Sequence, residues 1–241
     1  MPFNIQNSRP FLQFPFGINV QKGLVEDFSA IEKFGYNPSI GTSFETVWSS
    51  GGIYVYPTTA TTAVATSSNT IADNGGTVRV FGLNQDYDLA NEVITIGGSA
   101  STTTFIRVFR ALMVTPTTGT SNVGTITITV DSKSVAIIDP EYGQTLMCVY
   151  TIPRKKTGYL ISLNISPSKS QETEAIFVVR PNSIGTAFNT KSYITTSGNY
   201  VNRQYNVTDI IPEKSDIELR AKSSATESVS GGFELYIEDD H

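Results

Sequence analysis

From Thr125 to Val130 the chain alternates strictly, with Ile126, Ile128 and Val130 set against Thr125, Thr127 and Thr129. A period of two puts the aliphatic residues on one face and the threonines on the other, as in a half-buried strand with an exposed threonine face. Similar short runs fill the chain from residue 40 onward. Clusters of Gly, Pro, Asn and Asp break them at spacings of roughly 8–15 residues. The expected strands are Ile53–Tyr56, Ala63–Ser67, Thr77–Leu83, Glu92–Ile96, Thr104–Val114, Thr125–Val130 and Ser134–Ile138. A second set follows Asp139-Pro140-Glu141-Tyr142-Gly143, read as a linker. It comprises Gln144–Ile152, Thr157–Ile165, Thr173–Arg180, Ala187–Tyr193, Asp216–Ala221 and Gly232–Glu238.

Details within these runs carry further expectations. Asn84-Gln85-Asp86-Tyr87-Asp88 supplies a turn that returns Glu92–Ile96 as a hairpin partner. Arg107 and Arg110 are three apart and cannot share one face of a regular strand, so a bulge near Phe109 is expected. Asp216–Ala221 and Phe233–Glu238 each present one apolar and one charged face. The fold class expected is all-β: one or two antiparallel, jelly-roll-like β-sandwich domains with an extended N-terminal arm. The arm is assigned to residues 1–39, a first sandwich to 40–140 and a second to 141–241. A single interleaved sandwich is the alternative.

Residues 1–39 break the strand pattern. They carry Phe3, Phe11, Phe14, Phe16, Phe28 and Phe34, with Pro2, Pro10 and Pro15 between them. Proline at these spacings blocks both a helix and a central strand. The segment reads as an arm that cannot bury its aromatics alone. It either covers its own domain or docks on a neighbouring subunit, with Phe3, Phe11, Phe14 and Phe16 as the partner contacts. A short helix is expected over Val25–Lys33.

Composition narrows the function classes. The 241 residues are enough to bury a real core, and hydrophobic residues make up 39% against 16% charged. The formal net charge is −5. The dense basic run is Arg154-Lys155-Lys156, in a Pro/Gly turn context, so it reads as a solvated hairpin tip and no nucleic-acid partner is expected. No stretch reaches the roughly 18 apolar residues of a membrane helix. Met1-Pro2-Phe3-Asn4-Ile5 lacks the features of a secretory signal, so folding in a cytoplasm is expected.

Catalytic chemistry lacks its usual parts. The single histidine is His241 and the single cysteine is Cys148. A histidine-based triad, a thiol nucleophile with a histidine base and a zinc site are therefore not expected. Cys148 sits in Leu146-Met147-Cys148-Val149-Tyr150 and reads as a buried small hydrophobe. Paired carboxylates remain as acid/base candidates: Asp86/Asp88, Glu172/Glu174, Glu213/Asp216 and Glu238/Asp239/Asp240. Most lie in turns or at an end and read as solvated. No enzyme activity, metal or cofactor is expected.

Several short turn and strand motifs follow one another in a set order along the chain. They are Lys33-Phe34-Gly35-Tyr36-Asn37-Pro38, Phe44-Glu45-Thr46-Val47-Trp48, Gly51-Gly52-Ile53-Tyr54-Val55-Tyr56-Pro57, Arg79-Val80-Phe81-Gly82-Leu83-Asn84, Phe105-Ile106-Arg107-Val108-Phe109-Arg110-Ala111, Asn122-Val123-Gly124-Thr125-Ile126, Gln144-Thr145-Leu146-Met147, Tyr150-Thr151-Ile152-Pro153 and Glu213-Lys214-Ser215-Asp216-Ile217. In this order they resemble a family of virion structural proteins of tailed bacteriophages, common in marine and cyanobacterial phages. The resemblance spans roughly residues 33–240 and leaves the arm uncovered. It implies a particle component attached to the capsid surface or the tail, with no catalytic residues to carry over.

Two readings follow. One is a capsid decoration or cement protein, a homotrimer that contacts the major capsid protein or another virion protein and resides in the virion. The other is a tail or fibre adhesin that meets the host surface through loops carrying Tyr193, Tyr200 and Tyr205. On either reading Lys33–Asn37 is expected to be a turn, with Gly35 tolerating positive φ, and Trp48 a core anchor whose N–H needs one partner.

Overall fold

The computed structural model describes residues 15–182, 185–206 and 209–240. Its first elements are α1 Phe16–Gln21, β1 Phe28–Ile40, β2 Glu45–Thr46, β3 Thr61–Thr62, β4 Val64–Ser67 and α2 Thr70–Asp73. There follow β5 Thr77–Leu83, β6 Leu89–Thr95, β7 Thr104–Phe105, β8 Arg107–Thr115, β9 Ile126–Val130 and β10 Lys133–Ile138. The chain continues with β11 Val149–Thr151, β12 Lys156–Pro167, β13 Glu172–Pro181, β14 Asn189–Ser197, β15 Val201–Gln204, β16 Ile210–Ile211, β17 Ser215–Ser223 and β18 Glu227–Asp239. All pairings between these strands are antiparallel.

Two hydrophobic cores organise the strands. One lies between the sheet β1-β18-β12-β15 (β16 beside β15 on β12) and the sheet β11-β17-β13-β14, which also takes β2. Its inward residues include Leu163, Ile165, Phe233 and Leu235 from the first sheet and Phe177, Val179, Ile217 and Leu219 from the second. Phe177 and Phe233 meet edge to face across it at 5.3 Å. The other core is enclosed by β6-β5-β8, β10-β9-β4 and the β3-β7 pair. It buries Val78, Val80, Val108, Ile126, Ile128 and Val130, together with Trp48 and Tyr54. The protein is thus an all-β sandwich fold.

The chain enters these cores in an order that its sequence did not announce. Phe28–Ile40 is a strand of 13 residues that pairs with β18 from Phe28↔Glu238 to Ile40↔Glu227. Ile40 and Val47 lie in the core of the second half of the chain, whereas Trp48 already belongs to the other core. The path returns at Met147, which bridges Trp48. The backbone N–H of Cys148 donates to the Val47 carbonyl at 2.9 Å. One sandwich is therefore inserted between the first strand and the remainder of the other.

This corrects the extent of the arm, since residues 28–39 are built into a sheet. It also overturns the helix expected over Val25–Lys33, because β1 occupies Phe28 onward. The aromatic and β-branched side chains in this stretch gain a paired edge in β18 that local propensity does not reveal. Within β1, Gly35 pairs with Gly231 and its φ is not positive. Its role is the missing side chain: a Cβ there would lie 2.3 Å from the Val47 carbonyl oxygen and 2.8 Å from the Cys148 nitrogen. The backbone at Val47 and Cys148, where the chain crosses between the cores, packs directly on that glycine, so the expected turn is replaced by a close backbone approach.

Other local expectations meet mixed outcomes. β5 and β6 form the hairpin, and the Asn84 side chain accepts from the N–H groups of Asp86 and Asp88 inside the turn. In the β5–β8 register Phe81 opposes Arg110 and Gly82 opposes Val108, so Phe109 is the extra residue of a bulge. The bulge leaves Arg107 buried and Arg110 exposed. Ile53–Tyr56 alternates in burial but joins no ladder. Its anchors are side-chain bonds instead: the Tyr54 N–H donates to Thr46 Oγ1 at 2.9 Å, and the Tyr54 hydroxyl meets the Val108 and Val135 carbonyls. Of Gln144–Ile152 only Val149–Thr151 is a strand.

Candidate functional site

The most concentrated chemistry in the described residues lies at the seam between the two cores. β17 supplies Asp216, Glu218 and Arg220 on one face, while Ile217, Leu219 and Ala221 point into the core beneath. The sequence presents this as a charged face for solvent. The structure buries it: the Asp216 and Glu218 side chains are 0% exposed. The inserted sandwich covers that face, so β17 is buried on both sides.

Register assembles the cluster. Asp216 sits opposite Arg180 of β13 on one flank and Thr151 of β11 on the other. Arg180 donates to Asp216 Oδ2 from Nε at 3.1 Å and from Nη2 at 2.6 Å, and Thr151 Oγ1 donates to Oδ1 at 2.7 Å. Arg107, from β8 of the inserted sandwich, donates from Nε to Oδ1 at 2.7 Å and from Nη2 to Oδ2 at 3.0 Å. Asn182 adds a bond at 2.9 Å. Burial alone would raise the Asp216 pKa, but the hydrogen bonds and charge of Arg107, with Asn182 and Thr151, outweigh it and hold the carboxyl below its ordinary value. Glu218 accepts from Arg220 Nε and Nη2, each at 3.0 Å, and from Thr46 Oγ1 at 2.7 Å.

Aromatic rings stack on these guanidiniums. Arg180 Cζ lies 4.5 Å from the Tyr56 ring centroid and 4.7 Å from that of Phe188. Arg220 Cζ lies 4.4 Å from Phe188, and Arg107 Cζ lies 5.0 Å from Tyr56. Such contacts add to the ion pairs when desolvated. Above them opens a groove of about 560 Å3, lined among others by Tyr56, Tyr87, Arg107, Arg180, Phe188 and Arg220. The groove therefore presents guanidinium donors beside aromatic faces, a combination suited to planar anionic groups.

A second concave region of about 410 Å3 lies between β1 and the bulge of β8. Lys33 is buried there, with Nζ donating to the Phe109 carbonyl that the bulge exposes. Burial pulls its pKa down to about 7, against a smaller raising effect from Cys148 and with Arg110 adding to the lowering. Cys148 is buried and hydrogen-bonded through Sγ to the Gly231 carbonyl at 3.2 Å. Burial pushes its thiol up to about 12.

The arm contacts expected from sequence are only partly visible. Phe3, Phe11 and Phe14 lie outside the described residues. Phe16 opens α1, packs edge to face on Phe28 at 6.0 Å and on Tyr236 at 5.2 Å, and stays 49% exposed. Ile18 and Leu24 beside it are also exposed. Of the tyrosines expected in loops, Tyr193 lies instead on β14 opposite Ile176 and is exposed, Tyr200 is exposed after that strand, and Tyr205 is half-buried.

Of the paired carboxylates, Glu172 and Glu174 line one small hollow with Lys222, and most of the others are engaged by separate partners. Asp88 accepts two bonds from Arg154, Glu174 pairs with Lys222, Glu213 accepts from the Lys155 N–H and Asp240 accepts from Thr157. Asp216 departs most from its expected solvated turn. Among the described residues no three His, Cys, Asp or Glu side chains gather as a metal-binding group. No helix among them is long and apolar enough to cross a membrane. Trp48 is buried, and its Nε1 donates to the Gly51 carbonyl at 2.8 Å. The sequence signal that could have exposed the seam is the three arginines Arg107, Arg180 and Arg220, each directly following an aliphatic residue (Ile106, Val179 and Leu219). No protein-family model matches the chain, and no curated protein matches it either.

Proposed function

We propose that this chain is a structural component of a tailed-phage particle, a decoration or cement protein that coats or stabilises the head shell. It acts as a homotrimer resident in the virion and contacts the major capsid protein or another virion protein, with a structural rather than a catalytic role. The ordered motif series across residues 33–240 supports this reading. The observation that carries it is the apolar root of the N-terminal segment. Phe16, Ile18 and Leu24 stay exposed on the body directly after the Phe/Pro run of residues 1–14. Exposed apolar residues grouped beside such a run suit a partner surface.

Deletion of residues 1–14 is the test. It stops short of Phe16, whose ring already packs on the body, and leaves β1 whole. The truncated protein is expected to stay folded and to lose attachment to head shells. Normal attachment would remove the arm from the account. A copy number per particle matching the shell subunits supports decoration.

The second reading is a tail-associated adhesin module that binds the host surface. The exposure of Tyr193 and Tyr200, the latter at 62%, favours it. Exposed tyrosines supply large, rigid contact area with a polar tip. Saturable binding of purified protein to host cells, lost on replacing both tyrosines with serine, would support it.

A further inference from the structure

We propose that the groove over Arg180 and Arg220 is a binding site for a small organic monocarboxylate. The inference is independent of the particle assignment. Three guanidiniums, those of Arg107, Arg180 and Arg220, face two carboxylates, Asp216 and Glu218, which leaves the cluster one positive charge in excess. It does so in a chain of formal net charge −5.

The donors are unevenly used. Arg107 spends Nη1 on the Pro57 and Ile106 carbonyls and its other nitrogens on Asp216, so it is scaffold. Arg180 and Arg220 each spend Nε and Nη2 on a carboxylate. Neither makes a hydrogen bond from Nη1 to any described residue. Both guanidiniums lie within 4.7 Å of the Phe188 ring centroid, which fixes them near one another. The Tyr56 hydroxyl in the same wall is buried with no hydrogen-bond partner among the described residues. An orphaned donor of this kind is satisfied when a ligand oxygen or water reaches it.

The choice of a carboxylate follows from charge and from the rim. One carboxylate neutralises one excess positive charge, and guanidinium donors match its planar oxygens. A phosphate dianion would overshoot. The rim is partly aliphatic: Ile53 is 44% and Val55 54% exposed, and both line the groove. They would cover the hydrocarbon body of an organic acid. A volume of about 560 Å3 suits a small ligand.

The test titrates the full-length 15N-labelled protein with benzoate, glucuronate and inorganic phosphate at constant ionic strength. Arginine side-chain and backbone amide signals are followed. Saturable 1:1 shifts centred on Arg180 and Arg220 are expected with a carboxylate. Tighter benzoate binding marks a simple organic acid and tighter glucuronate binding a sugar acid; both support the site. Arg220→Lys keeps the charge but loses the fork, and is expected to weaken binding by about tenfold or more. Val55→Asp puts a competing carboxylate on an exposed rim position and should abolish binding without touching the ion pairs. Absence of saturable shifts in the native protein, equal affinity in Val55→Asp, or phosphate binding more tightly than either acid would overturn the proposal.

Discussion

Arg107 of the inserted sandwich and Asp216 of the other form a two-point ion pair, at 2.7 and 3.0 Å, with the carboxylate fully buried. The pair ties together two cores that otherwise bury their own apolar faces. Its carboxylate has further donors in Arg180, Asn182 and Thr151, so the two partners are not equivalent.

That asymmetry predicts an order of stabilities. Asp216→Ala leaves the buried Arg107 and the partly buried Arg180 without their shared acceptor and is expected to lose about 3–5 kcal/mol. Arg107→Met leaves Asp216 bonded to Arg180, Asn182 and Thr151, and should lose distinctly less. Urea unfolding of the two variants checks the ranking, and the reverse order would contradict the assignment of Asp216 as the hub.

The same residue predicts acid sensitivity. Its folded-state pKa lies below the ordinary value, so the unfolded chain binds the extra proton first as pH falls. The stabilisation is complete above the unfolded value of about 4 and is lost as pH drops through the folded one. Unfolding midpoints measured below about pH 5 should fall less steeply in Asp216→Asn than in the native protein.

Lys33 predicts a slope in the opposite part of the scale. Its folded pKa of about 7 is below the ordinary lysine value of 10.5, because burial disfavours the charged amine. Between these values the unfolded chain holds the extra proton, so this group makes stability rise with pH. Lys33→Met should flatten that rise. The pH-dependent difference in stability between native and variant proteins, measured from pH 7 to 10, isolates it from other titrations.

Gly35 predicts a packing failure. A methyl group there meets the Val47 carbonyl oxygen at 2.3 Å, and backbone rather than a flexible side chain must yield. Gly35→Ala is expected to lose about 1–3 kcal/mol or more, as overpacked sites do. Gly23→Ala, where nothing lies within 4 Å but φ is +67°, separates the packing effect from backbone strain. Thermal melts that show no loss for Gly35→Ala would refute the close approach.

Much of the fold was readable locally. The alternation in Thr125–Val130 became a strand buried on its aliphatic face, although β4 and β10 flank it and leave the threonines half-buried. The spacing of Arg107 and Arg110 foretold the bulge at Phe109. Where prediction failed, a distant segment decided the outcome. Phe28–Ile40 is a strand because β18, some 200 residues further on, offers it an edge. Tyr54 and Tyr56 are buried without a ladder because Thr46 and carbonyls of the inserted sandwich hold the first of them.

By itself, then, the sequence determined the strand periods, the Asn84–Asp88 turn and the scarcity of histidine and cysteine, because these depend on residue type and short-range spacing. Tertiary structure alone decided which charged face meets water. Asp216, Glu218 and Arg220 have the alternation of a solvent-facing edge, yet the insertion of one sandwich into the other covers them with Arg107 and the rings of Tyr56 and Phe188. Period-two patterning marks two faces of a strand; what packs on each depends on residues far along the chain.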